Sequence, residues 1–344
     1  MGGFVLSGDD QEQLAPEDVE SFQEEHEEED NEVVSNRGFM RHHCHRDGSA
    51  RYAIKYLKDS LSGTKRADGA IDLSIEAKFL SILSHPNVIR LCGKSGTKGD
   101  PRSFLILDRL YDTLGTKIAY WKKKEAEYAG FFAKKKFKGQ LKMLWNERLL
   151  AAYDVARAMK FLHGHEIIYR DLKPENIGFD VRGNAKIFDF GLAKELRDED
   201  KMGPGQYKAS GRTGTRRYMA PEVVLCKYYG KPVDVYSFAI LLWETLSLHQ
   251  PFKGYGYEKH SSLVVQKGKR PEVKKEWPTL IRHILKSSWN NDPSVRPDFF
   301  SICSSISGEF AENQGISLTS RTERLLMDVS LTSRKIDLTK RSGK

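Results

Sequence analysis

The block from Ile167 to Asn176, reading IIYRDLKPEN, constrains this chain more than any other stretch, because two further blocks follow it: KIFDFG from Lys186 to Gly191 and YMAPE from Tyr218 to Glu222. Asp171, Asn176 and Asp189 thereby place two carboxylates and an amide within a short span. A carboxylate can orient a hydroxyl and take its proton, and carboxylate and amide oxygens are natural ligands for a hard divalent cation. Upstream, Leu149, Ala152, Tyr153, Ala156 and Met159 repeat with the 3.6-residue period of a long helix that leads into the block. A second region stands further toward the N-terminus. The apolar strand YAIK ends on Lys55, and Glu76 follows 21 residues later in EAKFLSILSHPNVIRL. Phe79, Leu80 and Leu83 lie at i+3, i+4 and i+7 from Glu76, so the carboxylate runs along the helix face that turns toward the sheet, where it predicts an ion pair with Lys55.

Taken in this order, the motifs resemble those of the protein kinase family over about residues 33 to 310. The resemblance implies an α+β, bilobal fold, with a small β-rich lobe at 33–110 and a large α-helical lobe at 111–310. It also implies ATP and Mg²⁺ as cofactors and a protein substrate. Asp171 would accept the proton of the attacking hydroxyl, Lys173 would steady the γ-phosphate, and Asn176 and Asp189 would hold Mg²⁺. The nucleotide would be met by Val33, Gly38, Met40, Ala53, Lys55, Glu76, Leu107, Asp108, Leu110, Gly178 and Asp189, with the strand Phe104–Leu107 running into the hinge. Asp234 resembles the aspartate that holds the catalytic-loop backbone, and Arg296 the arginine that pairs with Glu222. Lys173 together with Thr215 follows the serine/threonine pattern. DVYSFAILLWE and WNNDPSVRPDF look most like the tyrosine-kinase-like group. In the family, the arginine at the position of Arg170 pairs with a phosphorylated residue between Asp189 and Glu222, for which Ser210 and Thr213 are the candidates.

The chain departs from the pattern at the nucleotide loop. Val33 and Ser35 stand where the family has glycines, and only Gly38 remains. Glycines there let the backbone approach phosphates, so the alternative reading is a pseudokinase scaffold with weak or absent ATP turnover. Against it, Lys55, Asp171 and Asp189 are all in place. Tyr169 replaces the common histidine before Arg170, and Gly178 replaces a bulkier residue beneath the adenine.

Charge is unevenly spread. Residues 1–32 carry thirteen Asp and Glu and no Lys or Arg, whereas the whole chain has a net charge of +9. Such an arm is expected to be disordered. Nine lysines fall between Lys117 and Lys142, interleaved with Tyr120, Trp121, Phe131, Phe132 and Phe137. This reads as a solvated basic insertion at about 117–142, with a nucleic-acid role not expected because no nucleic-acid-binding motif accompanies it. The tail, 311–344, is basic, rich in Ser and Thr, and expected to be mobile. Four cysteines without paired spacing, and no apolar run of spanning length, point to a monomeric protein of the cytoplasm or nucleus without a membrane span. GKSGTK at Gly93 lacks the upstream glycine of a phosphate-binding loop, since Val88 stands there, and reads as a turn between strands. His42, His43, Cys44 and His45 have the right types for zinc, yet neighbours on a strand point to opposite faces. The start of the chain, with Leu6 at position 6, is not a myristoylation signal.

Overall fold

The computed structural model describes residues 45–46, 49–58, 63–96, 102–128 and 136–312. The acidic arm, the loop with Val33, Ser35, Gly38 and Met40, His42 to Cys44, Phe131 and Phe132, and the tail beyond 312 lie outside them. The chain divides into two compact units: one ends at Tyr111 and omits residues 85–88, and the other holds 85–88 and everything from Asp112 onward.

In the smaller unit, β1 (His45–Arg46) pairs with β2 (Ser49–Ala50), and β3 (Tyr52–Tyr56), β4 (Leu91–Ser95) and β5 (Phe104–Asp108) form an antiparallel sheet in the order β3-β5-β4. Between β3 and β4 runs helix α1 (Gly63–Ile82). β5 alternates as a half-buried strand should, with Leu105 and Leu107 inward. β3 inverts the usual preference: Ile54 and Tyr56 are 46% and 41% exposed, while Lys55 is 3% exposed. α1 buries Ala70, Leu73, Glu76, Phe79 and Leu80, which recur at three- and four-residue steps. The GKSGTK stretch ends β4. Gly96 has φ +88°, and a Cβ there would lie 2.9 Å from the Ser103 backbone, so only glycine fits.

The larger unit begins with β6 (Asp112–Thr113) and α2 (Leu114–Glu127), followed by α3 (Lys138–Gly164), β7 (Ile167–Ile168), β8 (Ile177–Phe179), β9 (Ala185–Ile187) and β10 (Lys194–Glu195). β6, β8 and β9 form one small sheet, and β10 pairs with β7. After these come α4 (Pro221–Val224), α5 (Pro232–Ser247), α6 (Tyr257–His260), α7 (Thr279–Ser288) and α8 (Phe299–Glu312). α5 is apolar nearly all round and buried along almost its whole length, packed against α3 and α7, as a helix without a polar face must be. Pro232 opens it at a position where a missing N–H costs nothing.

The stretch 117–142 differs from the solvated insertion that its lysines suggest. Its first part belongs to α2, which a capping box starts: Thr116 N donates to Thr113 Oγ1 and Thr113 N to Thr116 Oγ1. Its last residues already belong to α3. Trp121 is 2% exposed and its Nε1 donates to Glu147 at 2.9 Å, so it is a core anchor and not a surface aromatic open to a partner. Lys122 and Lys123 stay in solvent on the opposite side. The periodic pairing of Leu114 with Trp121 was masked by the lysine count.

Glu222 of α4 and Arg296 form a buried two-pronged pair, with Nη1 to Oε1 at 2.6 Å and Nη2 to Oε2 at 3.0 Å. Arg296 also donates to the carbonyls of Asn290 and Pro232 and lies over the Tyr236 ring. Removing one partner strands the other charge in the interior. Arg296→Leu is expected to lower unfolding stability by about 3–5 kcal/mol, and Glu222→Leu/Arg296→Leu by less, as measured by urea denaturation; equal losses would mean that the pair acts only through packing.

Candidate active site

In the smaller unit, Lys55 Nζ donates to Glu76 Oε2 at 2.6 Å, both side chains almost fully buried. The ion pair expected from the helix face that carries Glu76 is present. Lys55 lies opposite Leu105 and Ala53 opposite Leu107 across β3 and β5, so two residues of one β3 face and the two buried leucines are in register. Asp108 closes the strand opposite Tyr52, accepts from Cys92 Sγ and lies 3.6 Å from Arg90 Nε. Leu107 is 1% exposed, and Leu110 is half-buried beyond the end of β5.

In the larger unit, the loop after β7 is held from below by Asp234 of α5, which is 0% exposed. Its Oδ2 accepts from Tyr169 N and bonds His163 Nε2, each at 2.9 Å, and its Oδ1 accepts from Arg170 N at 2.8 Å. Those bonds hold Arg170 at φ +71°, a conformation that a side-chain-bearing residue adopts only when its surroundings impose it. Tyr169, in place of histidine, is buried. Its hydroxyl donates to the Phe188 carbonyl and its ring meets Phe190 edge-on.

Asp171 follows as the hub of a dense set of contacts. Lys173 Nζ donates to Oδ2 at 2.6 Å, Asn176 Nδ2 to the same oxygen at 3.0 Å, and Thr215 gives both its N–H (2.9 Å) and its hydroxyl (2.8 Å) to Oδ1. Lys173 also reaches Thr215 Oγ1 at 3.1 Å. Gly214 makes this possible. It has φ +100°, and a Cβ on it would lie 2.3 Å from the Arg170 carbonyl oxygen. No other residue lets the chain pass so close before Thr215 turns to Asp171.

Asp189 sits just after β9 at φ +67°. β9 itself is tied down by Asn87 Nδ2 donating to the Ala185 carbonyl, by Ile187 N donating to the Asn87 carbonyl, and by Ala185 N donating to Asp154 Oδ2. Gly178 of β8 pairs with Thr113 and Lys186 in the same sheet. Asn176 spends its side-chain nitrogen on Asp171 O and Oδ2 and its backbone carbonyl on Phe188 N, while its side-chain oxygen Oδ1 accepts no hydrogen bond among the described residues. One amide oxygen and the carboxylate of Asp189 suit Mg²⁺, which takes few protein ligands and fills its shell from phosphates and water. Among the described residues no group of three or more His, Cys, Asp or Glu is placed to hold a metal.

Ser210 and Thr213 come together at Arg170. Arg170 Nη1 donates to Ser210 Oγ at 3.0 Å and to Tyr229 Oη at 3.3 Å, Thr213 Oγ1 donates to Ser210 Oγ at 2.8 Å, and Tyr229 Oη donates to the Ser210 carbonyl at 2.7 Å. The sequence reading missed Gly214, Asp154, Tyr229 and Glu244. For Gly214 a signal existed in the GT pair before RRY; the other three show themselves only through partners far away in the chain.

A protein kinase domain model matches residues 36–306, and the chain belongs to the protein kinase family. The serine/threonine-protein kinase STY17 of Arabidopsis thaliana is 32% identical over 257 residues, 74% of this chain and 40% of its own length. The serine/threonine/tyrosine-protein kinase HT1 of the same organism is 30% identical over 262 residues, 74% of this chain and 60% of its own. The dual specificity protein kinase shkB of Dictyostelium discoideum is 37% identical over 157 residues, 45% of this chain and 23% of its own. These names agree with the resemblance to the tyrosine-kinase-like group, and the chain spans only 40% and 60% of the first two relatives.

Glu244 of α5 is 8% exposed and accepts from Tyr218 Oη at 2.6 Å. Burial pushes its carboxyl up to about 7; the Tyr218 hydrogen bond opposes that rise and the Glu175 charge adds to it. An unfolded glutamate titrates near 4.3, so between about 4.3 and 7 the folded state holds the extra proton. Glu244 therefore favours the fold at low pH and loses that contribution as pH rises through about 7. In Glu244→Gln this slope is absent. The stability difference between wild type and variant is expected to change by on the order of 3 kcal/mol from pH 4.5 to 7.5 in urea unfolding; a flat difference would remove Glu244 as its source.

Proposed function

We propose that this chain is a protein serine/threonine kinase that transfers the γ-phosphoryl group of ATP to protein hydroxyls. The observation that carries the reading is the convergence of Lys173, Asn176 and Thr215 on the carboxylate of Asp171 within 3.0 Å. Asp171 accepts the hydroxyl proton as the new O–P bond forms and the bond to ADP breaks. Lys173 offers its ammonium to the phosphoryl oxygens, whose charge positioned cations stabilise during transfer. Asn176 and Asp189 would hold Mg²⁺, which would supply positive charge against the phosphates. Lys55, kept in one rotamer by Glu76, is the phosphate-contacting cation of the smaller unit, and the strand end at Leu107 to Leu110 is the adenine-binding hinge.

Serine and threonine are favoured as acceptors by the Lys173–Thr215 contact and by the names of the relatives, two of which also include tyrosine or dual specificity. The pseudokinase alternative rests on Val33 and Ser35, which lie outside the described residues. A cytoplasmic or nuclear monomer remains the reading for location and assembly; among the described residues no helix is long and apolar enough to cross a membrane.

Asp171→Asn keeps the shape and removes the proton acceptor, so turnover on a serine or threonine peptide is expected to fall by about 10²–10⁴-fold with the melting temperature little changed. Undiminished transfer would overturn the assignment. The same proposal includes regulation at Ser210 and Thr213, beside Arg170. A phosphate there adds roughly −1.5 to −2 charges within reach of that guanidinium. After incubation with ATP, mass spectrometry is expected to find phosphate on one of the two, and Ser210→Ala/Thr213→Ala to lower turnover roughly tenfold, the worth of one charge-assisted hydrogen bond. Full activity in the double variant would show that the segment is ordered without phosphate.

A further inference from the structure

The two residues after Thr215 carry charge that the chemistry at Asp171 does not use. Since Thr215 bonds Asp171 through both its N–H and its hydroxyl, Arg216 and Arg217 leave that carboxylate at the first and second steps of the chain. Arg216 is exposed and Arg217 half-buried. Among the described residues neither guanidinium has a carboxylate within ion-pair distance, whereas Arg148, Arg197 and Arg296 each do. Arg216 rests over the Tyr257 ring at 5.7 Å, which holds the side chain without neutralising it.

His260 is 2% exposed, neither of its ring nitrogens has a hydrogen-bond partner among the described residues, and its pKa is lowered to about 4 by burial first and then by Arg216, Arg270 and Arg217. Exposed Lys259 and Lys269 lie over the Tyr255 ring at 4.7 and 6.0 Å, and Glu258 is the one acid in the sequence from 250 to 271. The charge of Arg217 also reaches Glu244.

We propose that Arg216 and Arg217 select substrates whose acceptor hydroxyl is flanked by carboxylates. The inference rests on the kinase reading above and adds the substrate class. The chain contains such a sequence itself: Ser21 stands between Glu17, Asp18 and Glu20 on one side and Glu24, Glu25 and Glu27 on the other.

The test uses two fluorescent peptides covering residues 14–30, one with its acids and one with every Asp and Glu replaced by the amide. Each is titrated into the full chain by anisotropy, and phosphoryl transfer is measured in the same samples. The ratio of the two Kd values is read, because anything that competes for the same surface would weaken both peptides equally. The acidic peptide is expected to bind roughly tenfold more tightly, a preference that fades with added salt. Arg216→Glu/Arg217→Glu is expected to abolish or reverse it. Arg216→Gln, at an exposed position, is expected to reduce it and serves if the double variant fails to fold. Equal binding of the two peptides by the wild type, or a preference that survives charge reversal, overturns the inference. Acid preference without transfer overturns the kinase reading and leaves the arginine surface standing.

Discussion

The carboxylate of Asp234 is the fixed point of the larger unit. A fully buried carboxylate is costly unless its lone pairs are filled, and here three donors fill them: His163 and the N–H groups of Tyr169 and Arg170. The arrangement works in both directions. The loop supplies the donors that make Asp234 tolerable in the core, and Asp234 in return fixes a backbone with a positive φ at Arg170, from which Asp171 emerges in one orientation. Because α5 is buried along almost its whole length, that orientation is tied to the core of the unit.

From this anchor, contacts spread through side chains that each serve two partners. Asn176 links the backbone and the carboxylate of Asp171, Lys173 links Asp171 with Thr215, and Arg170 links the Leu192 carbonyl with Ser210 and Tyr229. Networks of this kind fix geometry more firmly than their individual bonds suggest, because no member can turn without leaving another unpaired. The segment from Asp189 to Glu222 is held at its end by the Glu222–Arg296 pair and through Thr215 by the carboxylate of Asp171.

The smaller unit shows what a buried ion pair does to local rules. A strand with Ile54, Tyr56 and Lys55 is expected to bury the first two and expose the third, and β3 does the reverse. The inversion is sustained by Glu76, whose carboxylate meets the buried ammonium at 2.6 Å. Breaking a local preference in this way costs stability, which the rest of the fold must offset.

The sequence by itself determined the family, because IIYRDLKPEN, KIFDFG and YMAPE are local runs whose order and spacing are visible along one line. It also determined the face of α1 on which Glu76 lies, since a 3.6-residue period sets it, and the long helix before Ile167. Only the tertiary structure decided what surrounds those residues. The need for glycine at 214 follows from the Arg170 carbonyl passing 2.3 Å from where a Cβ would stand, and the burial of Trp121 follows from Glu147 on the next helix. Glu244 meets Tyr218 across 26 residues, and Asp154 meets Ala185 across 31. Periodicity reports the face on which a residue lies, but a partner brought in by folding is named only by the packing of distant segments.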